Sequence, residues 1–483
     1  MVGAPSTGPQ SMVVTSSVLR DAPAARVLGE TVVALATPPG RGAIAVVRCS
    51  GTDAHVVAAR IFRPATPGPL ESRFVRFGHV VDAEGAVIDQ AMALYLAAPS
   101  TPTGEDVLEL HVHGSPVVVR ETLAAAQSAG ARMALPGEFT RRAFLNGKID
   151  LSQADAVADL IEAEHRGAVR AAESRLDGTL RDAVRSLRDP LDAALEELAA
   201  AVDFPDEVPA PDPASLTALV AALREGAAEL RASWEMGRLL REGLSAAIVG
   251  PPNAGKSSLL NALLGEERAL VSETAGTTRD TLDGQTVIDG VLLRLVDTAG
   301  IRHADEAIEA AGVERAQRAA AQASLLIVVL DGSVPLTQDA LTVLEQTHGR
   351  RRLLLFNKAD AGETGWQQWL ASSGSRESET TIFGSVLRSS DLERIKSALA
   401  SLGWDDVAPD PARPHLASAW QAQAVEEAVA AFDRVLETLH AGHPADVCVG
   451  DLVEASAALG QLSGEAVTEQ LLEAIFSRFC IGK

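Results

Sequence analysis

Cysteine is scarce: Cys49, Cys448 and Cys480 are the only three in 483 residues, and they lie far apart. That excludes a disulfide framework and a cysteine-clustered zinc site, and it points to a reducing compartment, the cytoplasm. Nowhere do about 18 apolar residues follow one another, so no membrane-spanning helix is expected. Positive charge is also short, with 42 Lys and Arg against 65 Asp and Glu, a net charge of −23. A chain this acidic does not coat nucleic acid through a broad basic face, which leaves RNA contact to a local patch or to a partner. Residues 1–26 lack the charged start and apolar stretch of a secretory signal. Their small, polar, Pro- and Gly-bearing composition reads as a disordered tail, with Met12 an alternative start.

Apolar residues are plentiful at 47%, enough for several cores, and the length suggests roughly three domains. TVVALA and AIAVVR around PPGRG read as a strand pair, and VLELHVHG followed by PVVVRETLAAAQSAG as a strand and a helix. These runs make 27–148 a small α+β domain. From 149 to 243 apolar residues recur every three or four positions, as in LSQADAVADLIEAEHRGAVRAAESRL, with Pro190 a kink or break and Leu216 to Leu240 helical again. Strands and helices alternate over 244–403, and after the proline-rich DDVAPDPARPH helices return over 404–483. The α/β unit is therefore inserted into an all-α helical domain. Ala361 to Thr380, acidic and Ser-rich, reads as a loose connection.

GPPNAGKS, Gly250 to Ser257, fits GxxxxGK(S/T) where a strand gives way to a helix. Glycines there let backbone N–H groups wrap phosphates at a helix N-terminus, Lys256 reaches the β- and γ-phosphates, and Ser257 ligates Mg²⁺. Companions follow in order. Asp297-Thr298-Ala299-Gly300 comes after the strand LLRLV; Asp297 can hold the Mg²⁺ water shell and the Gly300 N–H can meet the γ-phosphate. Asn357-Lys358-Ala359-Asp360 comes after RRLLLF, and its carboxylate can accept two hydrogen bonds from a guanine edge, which selects GTP over ATP. Thr277 or Thr278 in AGTTRD lies between them, where a switch-loop Thr can join Mg²⁺. Together these residues mean a Ras-like α/β GTPase.

Two positions depart from the Ras pattern. Ile301 follows Asp-Thr-Ala-Gly, where Ras-type enzymes place the Gln that orients the attacking water. Asp305, Glu306, Glu309 and Glu314 are acidic substitutes, and spacing alone does not choose among them. Nor is an arginine finger evident, although Arg279 and Arg302 lie nearby. His111 and His113, two apart on a strand, are too few for a metal site.

From about Thr31 to Lys483 the chain resembles the MnmE (TrmE) tRNA-modification GTPases. The resemblance rests on TPPGRGAIAVVR, TGEDVLELHVHG, PGEFTRRAFLNGKIDLSQADAVADLI, VDFPDE, GPPNAGKSSLLNAL, VSETAGTTRD, DTAGIR and CIGK. It implies an N-terminal folate-binding domain that dimerises, a helical domain from two chain segments, and an inserted G domain. It further implies a cytoplasmic homodimer that pairs with the FAD-dependent MnmG in a heterotetramer. That assembly installs a carboxymethylaminomethyl or aminomethyl group at carbon 5 of the wobble uridine of certain tRNAs. The implied cofactors are Mg²⁺, K⁺ and a tetrahydrofolate derivative in the 5-formyl or methylene form.

Carried over residue by residue, the implied GTP site takes Asn253, Ala254, Gly255, Lys256, Ser257 and Ser258 from the phosphate loop. It adds Ser272, Glu273, Thr274, Ala275, Gly276, Thr277 and Thr278, then Asp297, Thr298, Ala299 and Gly300, and finally Asn357, Lys358, Asp360 and Ser385. Mg²⁺ falls to Ser257 and Thr278, and K⁺ to Asn253, Ser272, Thr274 and Thr277. Glu309 matches the family's catalytic Glu, and Ser385 in Phe383-Gly384-Ser385-Val386 the segment that backs guanine. Folate contacts fall on Arg48, Glu109, Lys148 and Lys483. Cys480 matches a Cys needed for modification, Arg302 stands nearby in the switch as a further candidate, and Pro102 replaces the family's usual aromatic. A plain RNA-assembly GTPase would share the G-domain motifs but leave Arg48, Glu109 and Lys148 unexplained.

Overall fold

Two β-branched runs flank Pro38-Pro39-Gly40-Arg41-Gly42, and each becomes a strand, β1 (Val32–Leu35) and β2 (Ile44–Ser50), paired antiparallel with Ala34 opposite Arg48. The computed structural model containing them describes residues 29–204, 206–209, 211–265, 282–296, 323–335, 337–362, 366, 379–404 and 410–483. Those residues fall into two units. One takes in the described parts of Met1–Ile161, Ala172–Ala232 and Ala419–Lys483, the other those of Glu162–Ala171 and Ser233–Ser418.

In the first unit β1 and β2 join β3 (Phe62–Pro64), β4 (Val75–Val81), β5 (Val87–Leu96), β6 (Val107–His113) and β7 (Arg132–Met133) in a seven-stranded sheet of order β3-β4-β5-β6-β2-β1-β7. The period of two decides its faces. Val47 and Cys49 of β2, with Leu108, Leu110 and Val112 of β6, pack in one core with residues of α1 (Ala54–Ile61) and α2 (Pro116–Ser128). Arg48, Glu109 and His111 therefore lie on the opposite face, where α3 (Glu138–Leu145) brings Phe139 against Val32 and Ala34.

A charged network is buried at the same place. Arg142 of α3 pairs with Glu138 and Glu105, both at 2.8 Å, and Arg132 pairs with Glu138 at 2.7 Å. Ser50 completes it, donating to Glu105 at 2.9 Å. Burial raises the Glu138 carboxyl, but hydrogen bonds from Arg132, the Leu135 N–H and Arg142 outweigh it and hold the group below its ordinary value.

The helices of this unit include α4 (Leu151–Glu162), the end of α5 (Arg166–Leu176), α6 (Thr179–Asp203) and the start of α7 (Pro213–Glu242), which covers the stretch read as helical. After them come α11 (Ala419–His440), α12 (Val449–Ser463) and α13 (Glu469–Phe476). Pro190 does not break α6, which runs on through it to Asp203. An interior Pro costs about 3 kcal/mol. Leu180, Leu187, Leu191 and Leu198 are all buried on one stripe, and each such leucine returns about 1.5–3 kcal/mol. Asp155 and Asp159, one turn apart on α4, are buried against Arg175 and are reached also by Arg478.

The second unit is built on β8 (Leu244–Val249), β9 (Leu282–Ile288), β10 (Val291–Val296), β11 (Leu325–Asp331), β12 (Arg352–Asn357) and β13 (Glu379–Phe383). Their order is β13-β12-β11-β8-β10-β9, parallel except for β9. Helix α8 (Lys256–Gly265) follows β8, α9 (Gln338–Gln346) lies between β11 and β12, and α10 (Ser389–Trp404) follows β13. Separate cores line its two faces, which is why the central strands read as unbroken apolar runs. This is the Ras-like α/β arrangement, with its loops gathered at the carboxyl ends of the strands. Within the stretch read as a loose connection, Trp366 is buried, its ring 4.7 Å from Phe356 and its indole N–H bonded to the Val334 carbonyl.

Cys49 and Cys448 are buried, and burial pushes the Cys49 thiol up to about 12. His113 contacts Asp89 and His111 contacts Glu109. Among the described residues no group of three or more His, Cys, Asp or Glu is arranged to hold a metal, and no helix is long and apolar enough to cross a membrane.

Replacing Arg142 with Met should cost about 3–5 kcal/mol in urea denaturation, because Glu105 loses its cation and Glu138 keeps Arg132 but loses its buried helical partner. Glu138 titrates lower folded than unfolded, so its contribution is complete above the unfolded carboxylate value and is lost as pH falls through the folded one. Glu138→Gln should therefore flatten the acid limb of the stability curve below about pH 5.

Candidate nucleotide site and a second polar cluster

The apolar run of β8 stops at Gly250, and the next regular element is α8, beginning at Lys256. Between them the backbone turns back on itself, with Asn253 at φ +60° and Gly255 at φ +102°. A Cβ on Gly255 would lie 2.2 Å from the Asn357 side-chain nitrogen, so no other residue fits. The Lys256 ammonium donates to the carbonyls of Gly250 at 2.9 Å and Pro251 at 2.6 Å, and burial lowers its pKa. Ser257 and Ser258 are exposed in the first turn of α8, where helix N–H groups have no intrahelical acceptor.

Asn357 ends β12 and is 2% exposed. Its amide donates to the Ala254 carbonyl at 3.0 Å and accepts from the Val386 N–H at 3.1 Å. Lys358, at φ +64°, donates to the Asn253 carbonyl at 2.7 Å and to Asp331 at 2.6 Å. Asp360 is exposed, and a hydrogen bond from the Ser385 hydroxyl holds its carboxyl below the ordinary value. Asp391 accepts from the Ser385 N–H at 2.9 Å and fixes the turn.

The loop 250–257 and the segments 357–360 and 385–386 are thus brought together at one end of the sheet. Ser272, Glu273, Thr274, Ala275, Gly276, Thr277 and Thr278 lie outside the described residues, as do Asp297, Thr298, Ala299, Gly300, Arg302 and Glu309. Sequence reasoning missed Asp331, which anchors Lys358. Its signal was an Asp-Gly-Ser directly after the apolar run of β11.

In the first unit Arg48 and Glu109 face each other across β2 and β6 and form an ion pair at 2.8 Å. The Arg48 guanidinium stands 5.8 Å over the Phe139 ring, whose own backbone N–H donates to the Lys483 carbonyl at 3.1 Å. Three of the four residues expected around folate are therefore brought near one another, with Phe139 as the unforeseen link. The Lys148 side chain is exposed and makes no hydrogen bond or ion pair to the described residues. Cys480 is exposed three residues before Lys483.

Comparison with known proteins covers both units. The family model described as GTP-binding protein TrmE N-terminus matches residues 31–148, and the MnmE helical domain model matches residues 151–480. A tRNA modification GTPase MnmE of Chloroflexus aurantiacus is 41% identical over 457 residues, spanning 94% of this chain and 100% of the relative. The chain belongs to the MnmE family. Its MnmE relatives in Synechococcus elongatus, 40% identical over 469 residues, and Streptococcus pneumoniae, 37% over 458, each align with 94% of this chain and 99% of their own length. Membership thus extends over the sheet bearing Arg48 and Glu109 as well as the unit bearing the phosphate loop.

Asn357→Ala strands the buried Ala254 carbonyl and Val386 N–H, at about 1–3 kcal/mol for each group left unpaired. Titration with a non-hydrolysable GTP analogue should show weakening by at least about tenfold, with a lower melting temperature.

Proposed function

We propose that this chain is a K⁺-activated GTPase that acts, as a homodimer with an MnmG-type FAD partner, in modification of the wobble uridine of tRNA at carbon 5. The activity in tRNA modification follows from family membership. The observation that supports GTP as the nucleotide is the convergence of the phosphate loop with Asn357, Asp360 and Ser385 at one end of the sheet.

In this reading the N–H groups of Asn253 to Ser258 grip the phosphates, and Lys256 exchanges its loop carbonyls for phosphate oxygens. Asp360 accepts from the guanine edge, and its bond to Ser385 keeps it ionised and aimed. The exposed hydroxyl of Ser257 suits a hard cation, and with Thr278 it would hold Mg²⁺, which neutralises phosphate charge. K⁺ would be held by Asn253, Ser272, Thr274 and Thr277 and would supply the positive charge that an arginine finger supplies elsewhere. Glu309 is assigned the orientation of water, since Ile301 cannot do it. On the first unit the cations of Arg48, Lys148 and Lys483 and the carboxylate of Glu109 suit the glutamate tail and pterin N–H groups of a tetrahydrofolate, the one-carbon donor.

The test is GTP turnover by the full chain in K⁺ against Na⁺ at matched ionic strength. A K⁺ preference of about tenfold or more, abolished by Asn253→Ala, is expected. Equal rates would remove the cation site from the reading and leave a plain GTPase.

A further inference from the structure

The last four residues of the sequence, Cys480-Ile481-Gly482-Lys483, touch the first unit at three points, one of them the end of β1. Ile481 forms an antiparallel bridge with Pro136. The Lys483 carbonyl accepts from the Phe139 N–H. Gly482, buried at φ +103°, passes so close to the end of β1 that a Cβ on it would lie 2.0 Å from the Leu35 carbonyl oxygen and 3.2 Å from the Ala36 Cα. Leu35 is held by its pairing with Val47, so the sheet cannot give way. Just before this stretch, Arg478 is tied to Asp155 and Asp159 of α4, which limits how far the backbone can withdraw.

The same contacts decide where Lys483 sits. Phe139 holds the Lys483 carbonyl with its N–H while its ring underlies Arg48, the partner of Glu109. Any side chain at 482 pushes residues 481–483 off Leu35 and breaks that link. A left-handed φ adds strain for any L-residue. We infer that Gly482 is a positioning residue whose lack of a side chain seats Lys483 beside the Arg48–Glu109 pair, so that Gly482 affects tetrahydrofolate affinity only through Lys483. This rests on the folate reading above.

A double-mutant cycle on the full chain tests it, with 5-formyltetrahydrofolate binding followed by equilibrium dialysis and GTP turnover followed in parallel. Gly482→Ala and Lys483→Ala should each weaken binding about tenfold or more, that is about 1.4 kcal/mol. Adding Gly482→Ala to Lys483→Ala should cost less than about twofold further. Inserting one glycine between residues 482 and 483 displaces Lys483 without adding bulk at Leu35, and should weaken binding as much as Gly482→Ala. Wild-type affinity in Gly482→Ala or in the insertion variant overturns the assignment. So does a full further loss in the Lys483→Ala background, which would mark Gly482 as important to folding alone. A wild-type chain that binds no folate while turning over GTP overturns the folate reading itself, and the assignment with it.

Discussion

The second unit is organised around one buried amide. Asn357 spends its donor on the phosphate loop at Ala254 and its acceptor on the segment that follows β13 at Val386. A planar group of fixed size sets the spacing between the loop after β8 and the segment that carries Ser385, and Ser385 in turn steadies Asp360. Two further features follow from it. Gly255 must lack a side chain because the amide occupies that space. Lys358 adds a second strut, from Asn253 to Asp331, so the loop is braced at two carbonyls before any ligand arrives. Such preorganisation lowers the ordering cost of binding, and it means that the two segments cannot change independently.

The first unit relies on charge more than on a single hub. Glu138 and Arg142 are almost wholly buried, and Arg132, Glu105 and Ser50 close the circuit around them. A buried ion pair of this kind contributes little net stability over apolar packing, because desolvation offsets most of the attraction. Its geometric demands are strict, however, since each ion left unpaired is costly. The network therefore serves to hold α3 in one register on the sheet, and α3 carries Phe139. The Asp155–Asp159–Arg175–Arg478 cluster does the same for the chain end, which meets Phe139 from the other side. Two charged clusters thus converge on the neighbourhood of Arg48 and Glu109.

How much of this was legible in the sequence depended on whether the signal was local. The β1–β2 pair could be read because Pro and Gly punctuate two β-branched runs, and the phosphate loop because its spacing and its strand-to-helix context coincide. The break allowed at Pro190 did not occur, since a local helix breaker was outvoted by leucines whose burial is a tertiary fact. Ser385 sits beside Asp360 because β12 and β13 pair in parallel, a long-range pairing that local pattern does not show. The Glu138–Arg142 contact follows from helical spacing, but its links to Glu105 and Ser50 span 37 and 92 residues and leave no periodic trace. Gly482 looked like any glycine near a chain end until Leu35 was seen beside it.

The placement of the arginines also bears on how a chain of net charge −23 meets an RNA. Many guanidinium groups among the described residues face carboxylates, so few of them present an uncompensated charge. Arg142 and Arg175 are buried with theirs, while Arg188, Arg224, Arg231 and Arg434 hold Glu465, Asp433, Glu426 and Asp451 on the helices of the first unit. Arg294 and Arg352 are likewise paired in the second. A paired cation keeps its charge but adds little to the field outside, since its neighbour cancels it within a Debye length. Phosphate neutralisation, the term that dominates nucleic-acid affinity, is thus poorly served by the described helices.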